Sequence, residues 1–131
     1  MNKMRCLLSA LLCLFLVSCA PVGFFVAGTA AGVGGYKYYK GALNVLYQAP
    51  YADTWDASVK VFESMNFVIH TKVRDTMSGK IEATRADNKP VTISLKYKST
   101  QETDASIRVG IFGDENASNV IKDRIARELF K

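Results

Sequence analysis

Apolar and polar residues alternate through four stretches in the second half of the chain. "FVIHTKV" places Phe67, Ile69, Thr71 and Val73 on one face, with Val68, His70 and Lys72 on the other. "GKIEATRA" sets Ile81 and Ala83 against Lys80, Glu82 and Thr84, and "VTISLKY" sets Val91, Ile93, Leu95 and Tyr97 against Thr92, Ser94 and Lys96. "SIRVGIF" sets Ile107, Val109 and Ile111 against Ser106, Arg108 and Gly110. A period of two predicts strands with one buried and one solvated face. Asp87-Asn88, between the second and third runs, predicts a turn. "ALNVLYQ", residues 42 to 48, alternates well enough to add an earlier strand.

Two other stretches carry a helical period. After Pro50, Trp55, Val59 and Phe62 recur at i, i+4 and i+7, predicting a helix over about Asp53 to Met65. Asp53 suits its N-cap, Asp56 is favourable to the helix dipole, and Asn66 suits a left-handed residue at the end. Gly113-Asp114 breaks the last strand pattern and starts a helix to about Phe130, in which Ala117, Ile121, Ile125 and Leu129 repeat every four residues. The order β-α-β-β-β-β-α predicts an α+β fold, a two-layer sandwich. Its antiparallel sheet of four to five strands is covered on one face by two helices.

The N-terminus has a different pattern. Asn2, Lys3 and Arg5 precede an uncharged apolar run from Cys6 to Val17. That run is shorter than the roughly 20 residues needed to span a bilayer and fits the core of a signal peptide. It ends in Leu16-Val17-Ser18-Cys19, which resembles the lipobox of bacterial lipoproteins, with cleavage between Ser18 and Cys19 and lipidation of Cys19. Cys13 follows the bulky Leu12 and fits less well. Cys6 and Cys13 leave with the leader and Cys19 takes the lipid, so the mature chain keeps no free thiol and no disulfide. One acyl chain binds a membrane only marginally, whereas the three of a mature lipoprotein hold it for good. Ala20, in place of the aspartate that signals inner-membrane retention, favours the outer membrane.

These features divide the chain into a leader (1–18), a lipidated tether (19–41) and one α+β domain (42–131). The tether is rich in Gly and Ala. Gly28, Ala31 and Gly35 recur at helical spacings, so it reads either as a spacer or as a membrane-associated, self-associating helix. Tyr36, Tyr38 and Tyr39, interleaved with Lys37 and Lys40, suit either a headgroup interface or the start of the first strand. Loss of the leader removes Lys3 and Arg5 and no acid, lowering the formal charge from +5 to +3. That excess needs no nucleic acid to explain it.

"GVGGYKYYKGAL", "YQAPYADTWDAS", "RDTMSGKIEATRAD", "PVTISLKY" and "IRVGIFGD" together resemble an uncharacterised family of small Gram-negative lipoproteins, domain of unknown function 3568. The resemblance covers most of the mature chain and implies an envelope lipoprotein without specifying an activity. The Trp-bearing helix followed by "MNFVI" and "RD…GKI" is also similar in architecture to the helix-grip domains of the lipoprotein component C of the outer-membrane β-barrel assembly machinery.

Candidate chemistry is sparse. His70 has no cysteine, second histidine or suitably spaced carboxylate near it in sequence, so neither a metal site nor a catalytic triad is expected. "GVGG" lacks the lysine of a phosphate loop. Trp55 is expected in the core. Glu82, Asp87 and Asp104 are the carboxylates available for acid–base chemistry, with nothing in their spacing to select them. The candidate binding face is the solvated side of the sheet, where Lys72, Lys80, Lys96 and Arg108 are expected to project. The sequence therefore predicts a non-enzymatic, cofactor-free protein held to the membrane by its N-terminal lipid and facing the periplasm. Its partner would be an anionic envelope component or another envelope protein. A small hydrolase or transferase acting on envelope polymers, and a glycine-zipper oligomer, are the alternatives.

Overall fold

The computed structural model describes residues 32–131, together with the isolated Lys3; the predicted cleavage site, Cys19, Gly28 and Ala31 lie outside the described residues. Six strands and two helices follow in the order β1 (Val33–Tyr39), β2 (Ala42–Tyr47), α1 (Tyr51–Ser64), β3 (Val68–Arg74), β4 (Ser78–Thr84), β5 (Pro90–Ser99), β6 (Glu102–Val109) and α2 (Glu115–Leu129). The strands form one sheet in the order β1-β2-β6-β5-β4-β3, and every neighbouring pair is antiparallel. Helix α1 carries the chain from β2 to the far edge. A meander of β3 to β6 then returns to pair with β2. Both helices pack on the same face, and they also touch each other.

The architecture is α+β, and the sheet has six strands where four to five were expected. The extra strand, β1, falls in the Gly-rich stretch assigned to the tether. Its hairpin with β2 turns through Lys40 (φ 50°) and Gly41 (φ 80°), two left-handed residues that match the natural twist of paired strands. Helix α1 starts two residues ahead of its predicted cap. Pro50 occupies the N-cap position without a side-chain bond, and Asp53 lies in the first turn. Proline fits there because the first backbone N–H groups have no intrahelical partner to lose. Asn66 is left-handed (φ 57°) as expected, and Asp114 caps α2 by accepting from the Ala117 N–H at 3.0 Å.

The core lies between the sheet and the helices. Leu43, Val45, Ile81, Ile93, Leu95, Ile107 and Val109 point up from the strands, and Phe62, Val61, Ile121 and Ile125 point down from the helices. Phe62 meets Phe67 edge to face at 5.3 Å. Buried hydroxyls in this layer are paired with backbone carbonyls, Tyr47 Oη donating to Lys122 at 3.0 Å and Thr103 Oγ1 to Ala49 at 2.9 Å, whereas the buried Ser118 hydroxyl has no partner among the described residues. Trp55 is buried, as predicted, and it crosses the sheet directly above Gly79. A methyl group at position 79 would stand 2.5 Å from Trp55 Cζ3 and 2.8 Å from Tyr51 Oη, so a glycine is needed there.

Candidate functional site

The face of the sheet opposite the helices is uncovered within the described residues, and strand register organises it into rows. The central row runs Val73, Lys80, Ser94, Ser106, Asn44, Lys37 across all six strands. Below it lies a row of Ser78, Lys96, Asp104 and Leu46; above it lies one of Thr71, Glu82, Thr92 and Arg108. The middle strands carry small side chains, and longer ones rise around them. The result is a shallow trough of about 590 Å³, lined among others by Asn44, Val73, Lys80, Ser94, Lys96, Asp104 and Ser106. Its floor offers hydroxyls and a carboxamide, its lining adds the ammonium groups of Lys80 and Lys96 and the carboxylates of Asp75 and Asp104, and one end is closed by the exposed Val73.

Lys80, Lys96 and Arg108 occupy this face as the alternation predicts. Lys72 does not. Strand β3 has a bulge between Ile69 and Thr71, which puts His70 and Thr71 together opposite Glu82 and reverses the parity beyond them. Lys72 and Arg74 therefore sit on the helix side, and Val73 takes the place in the trough. Arg74 uses that position to stack its guanidinium over Tyr51 and Trp55, at 5.5 and 5.6 Å from the ring centroids.

Charge on the face is mixed. Lys80 Nζ meets Glu82 Oε1 at 2.8 Å, and this hydrogen bond, with the lysine charge, holds the Glu82 carboxyl below its usual range. Lys96 stands directly opposite Asp104 in the ladder. His70 Nε2 is 2.6 Å from Thr84 Oγ1. Glu82 and Asp104 are two strands apart and four positions apart along the ladder. The second offset alone is about 13 Å, and Asp87 is engaged by Arg85 in the β4–β5 turn. The three carboxylates do not converge. Among the described residues no cluster of three His, Cys, Asp or Glu side chains is placed to hold a metal ion, and no helix is long and apolar enough to cross a membrane.

Asn44, Ser106 and Val73 join the trough without having been singled out from the sequence as site residues. Ser106 and Ser94 carry a detectable signal, small polar residues at solvated strand positions, but only register makes them neighbours. The model of a family described as "Protein of unknown function (DUF3568)" matches residues 3–128. No curated protein matches the chain.

Proposed function

The chain belongs to that family of unknown function, and from this premise we propose that it is a lipid-anchored protein of the bacterial envelope whose open sheet face binds another envelope component. The proposed anchor is Cys19, following Ser18 at the end of the leader. The proposed residence is the outer membrane, facing the periplasm. No catalytic role is assigned to the domain.

The observation that carries the binding role is the trough: a floor of Ser94, Ser106 and Asn44 beside the amines of Lys80 and Lys96. Small polar side chains allow a ligand to approach the strands closely, and the amines of Lys80 and Lys96 on adjacent strands favour an anionic group at that end. An extended chain bearing carboxylates or phosphates fits this arrangement better than a compact substrate. The width of the trough, five strands at about 4.8 Å each, sets its reach.

The test is photocrosslinking in intact cells. A crosslinking residue at Ser106 is expected to capture a discrete partner, while the same residue at the exposed Asp56 of α1 captures none. Equal capture from both positions, or capture from neither, removes the trough from consideration. Intact mass of the purified native protein tests the anchor separately, through the lipid on Cys19.

A further inference from the structure

Beyond the trough, the loop "GIFG" at residues 110–113 departs from the pattern that precedes it. Alternation puts Ile111 with Ile107 and Val109 in the core. Strand β6 instead ends at Val109, and Gly110 (φ 78°) and Gly113 (φ 90°) turn the two residues between them outward. Ile111 is 75% exposed and Phe112 is 91% exposed, the most exposed large apolar side chain among the described residues. Leaving a phenylalanine and an isoleucine together in water is unfavourable for the isolated domain and calls for an apolar surround.

The neighbours of this tip are cationic and aromatic. The β1–β2 turn packs against the loop: a methyl group on Gly41 would stand 2.7 Å from the Phe112 carbonyl oxygen and 2.9 Å from the Arg108 guanidinium. On the same turn, Tyr39 is half exposed, and its ring has Lys37 Nζ at 4.7 Å and Lys40 Nζ at 5.2 Å from its centroid. Two acids follow the loop at the start of α2, Asp114, which caps the helix, and the exposed Glu115 in its first turn. An apolar tip beside Arg108 and beside a turn that carries Lys40 and a tyrosine matches the layers of a bilayer surface, with acyl chains beneath, phosphates above and an amphipathic ring at the boundary.

We infer that this pole of the domain docks on an anionic lipid surface, with Phe112 and Ile111 entering the acyl boundary and Lys40 and Arg108 meeting lipid phosphates. Chain length permits it. The tip lies at the end of β1 away from Gly32, about 23 Å along seven residues, and the residues between Cys19 and Gly32 can extend over about 45 Å. Only this question of reach rests on the anchored reading; the chemistry of the tip does not.

The test uses the full chain with Phe112→Trp, reconstituted in vesicles of phosphatidylethanolamine and phosphatidylglycerol. Trp55, the single tryptophan of the sequence, is buried in the core, so the unsubstituted chain supplies the baseline. The added indole is expected to shift its emission to the blue and to be quenched by bromine on the acyl chains. Lys40→Asn and Arg108→Gln are each expected to lower the ratio of inserted to free tip about fivefold, the effect of one cation at an anionic surface. Equal access of aqueous acrylamide to residue 112 with and without vesicles overturns the inference. So does protection that grows with protein concentration in the absence of lipid, which would make a second copy the occupant. Failure of the anchor is distinguishable, since an unmodified Cys19 leaves the quenching at residue 112 readable. A lipidated chain with a fully aqueous residue 112 defeats the tip alone.

Discussion

The two faces of the sheet are made by the same strands and differ in parity alone. On the covered face, buried hydroxyls other than that of Ser118 have backbone partners: Tyr47 donates to a helix carbonyl, Thr103 to the Ala49 carbonyl, and Ser58 to the carbonyl one turn back. On the open face, lysines, carboxylates and hydroxyls stand side by side in water, and some pair only loosely. The contrast follows from solvation. An unpaired polar group costs roughly 1–3 kcal/mol when buried and almost nothing when wet, so the covered face is constrained by stability and the open face is free to be chosen for recognition.

The sharpest way to break this comparison is to truncate one apolar residue on each side. Phe62→Ala, in the covered layer, is expected to lower unfolding free energy by about 3–5 kcal/mol in urea. Val73→Ala, on the open face, is expected to stay within about 0.5 kcal/mol of the parent. A similar cost for both would mean that the open face is not open. Next in size is Gly79→Ala, which drives a methyl into Trp55 and is expected to cost about 1–3 kcal/mol through overpacking. Its neighbour on the solvated side, Lys80→Ala, should cost far less by the same measurement.

Tyr47→Phe is a smaller change with a pH signature. Burial first, and then the Asp123 charge, push the Tyr47 phenol well above its ordinary range. The unfolded chain therefore loses that proton first. The stability this provides is present below about pH 10, the free phenol value, and is lost as pH rises through the folded value. Removing the hydroxyl is expected to cost about 1 kcal/mol at neutral pH and to flatten the alkaline limb of stability against pH. An unchanged alkaline limb would assign that sensitivity to another group. The smallest effect belongs to the open face. Glu82 is depressed in the folded protein, so its contribution is present above the ordinary carboxylate value and lost as pH falls through the folded one. Lys80→Gln is expected to raise the Glu82 titration followed by carboxyl NMR while leaving the melting temperature nearly unchanged.

Much of this was legible from alternation: the parity of β4, β5 and β6 and the faces of both helices. So were Asn66, the Asp87-Asn88 turn and the placement of Lys80, Lys96 and Arg108. What was not legible has a common physical cause. Both edge strands contain bulges, between Val33 and Gly35 in β1 and between Ile69 and Thr71 in β3. A bulge adds a residue without adding a ladder step, so the period of two fails across it. That hid β1, whose Val33 and later Tyr36 and Tyr38 lie toward the core out of phase, and it misplaced Lys72. A left-handed Gly110 ended β6 early and did the same to Ile111. The trough depended on register between strands, which no single strand contains. The chemistry of the site was partly visible, its assembly was not.

Strand β1 opens the described domain and is hydrogen-bonded to a neighbour along only one side. Tension carried by the preceding chain therefore enters at Gly32, beside the Phe130 ring, and loads this strand before any other. Such a strand comes away one residue at a time, while the central strands must break many bonds together. It is tied across the layer by the buried Val33 and by Tyr36, on whose ring the Lys122 ammonium rests at 3.5 Å. Pulled from its N-terminus, the domain should first release a short length matching these seven residues and then resist. The first strand would thus yield under load while the trough, built mainly on the strands behind it, keeps its shape.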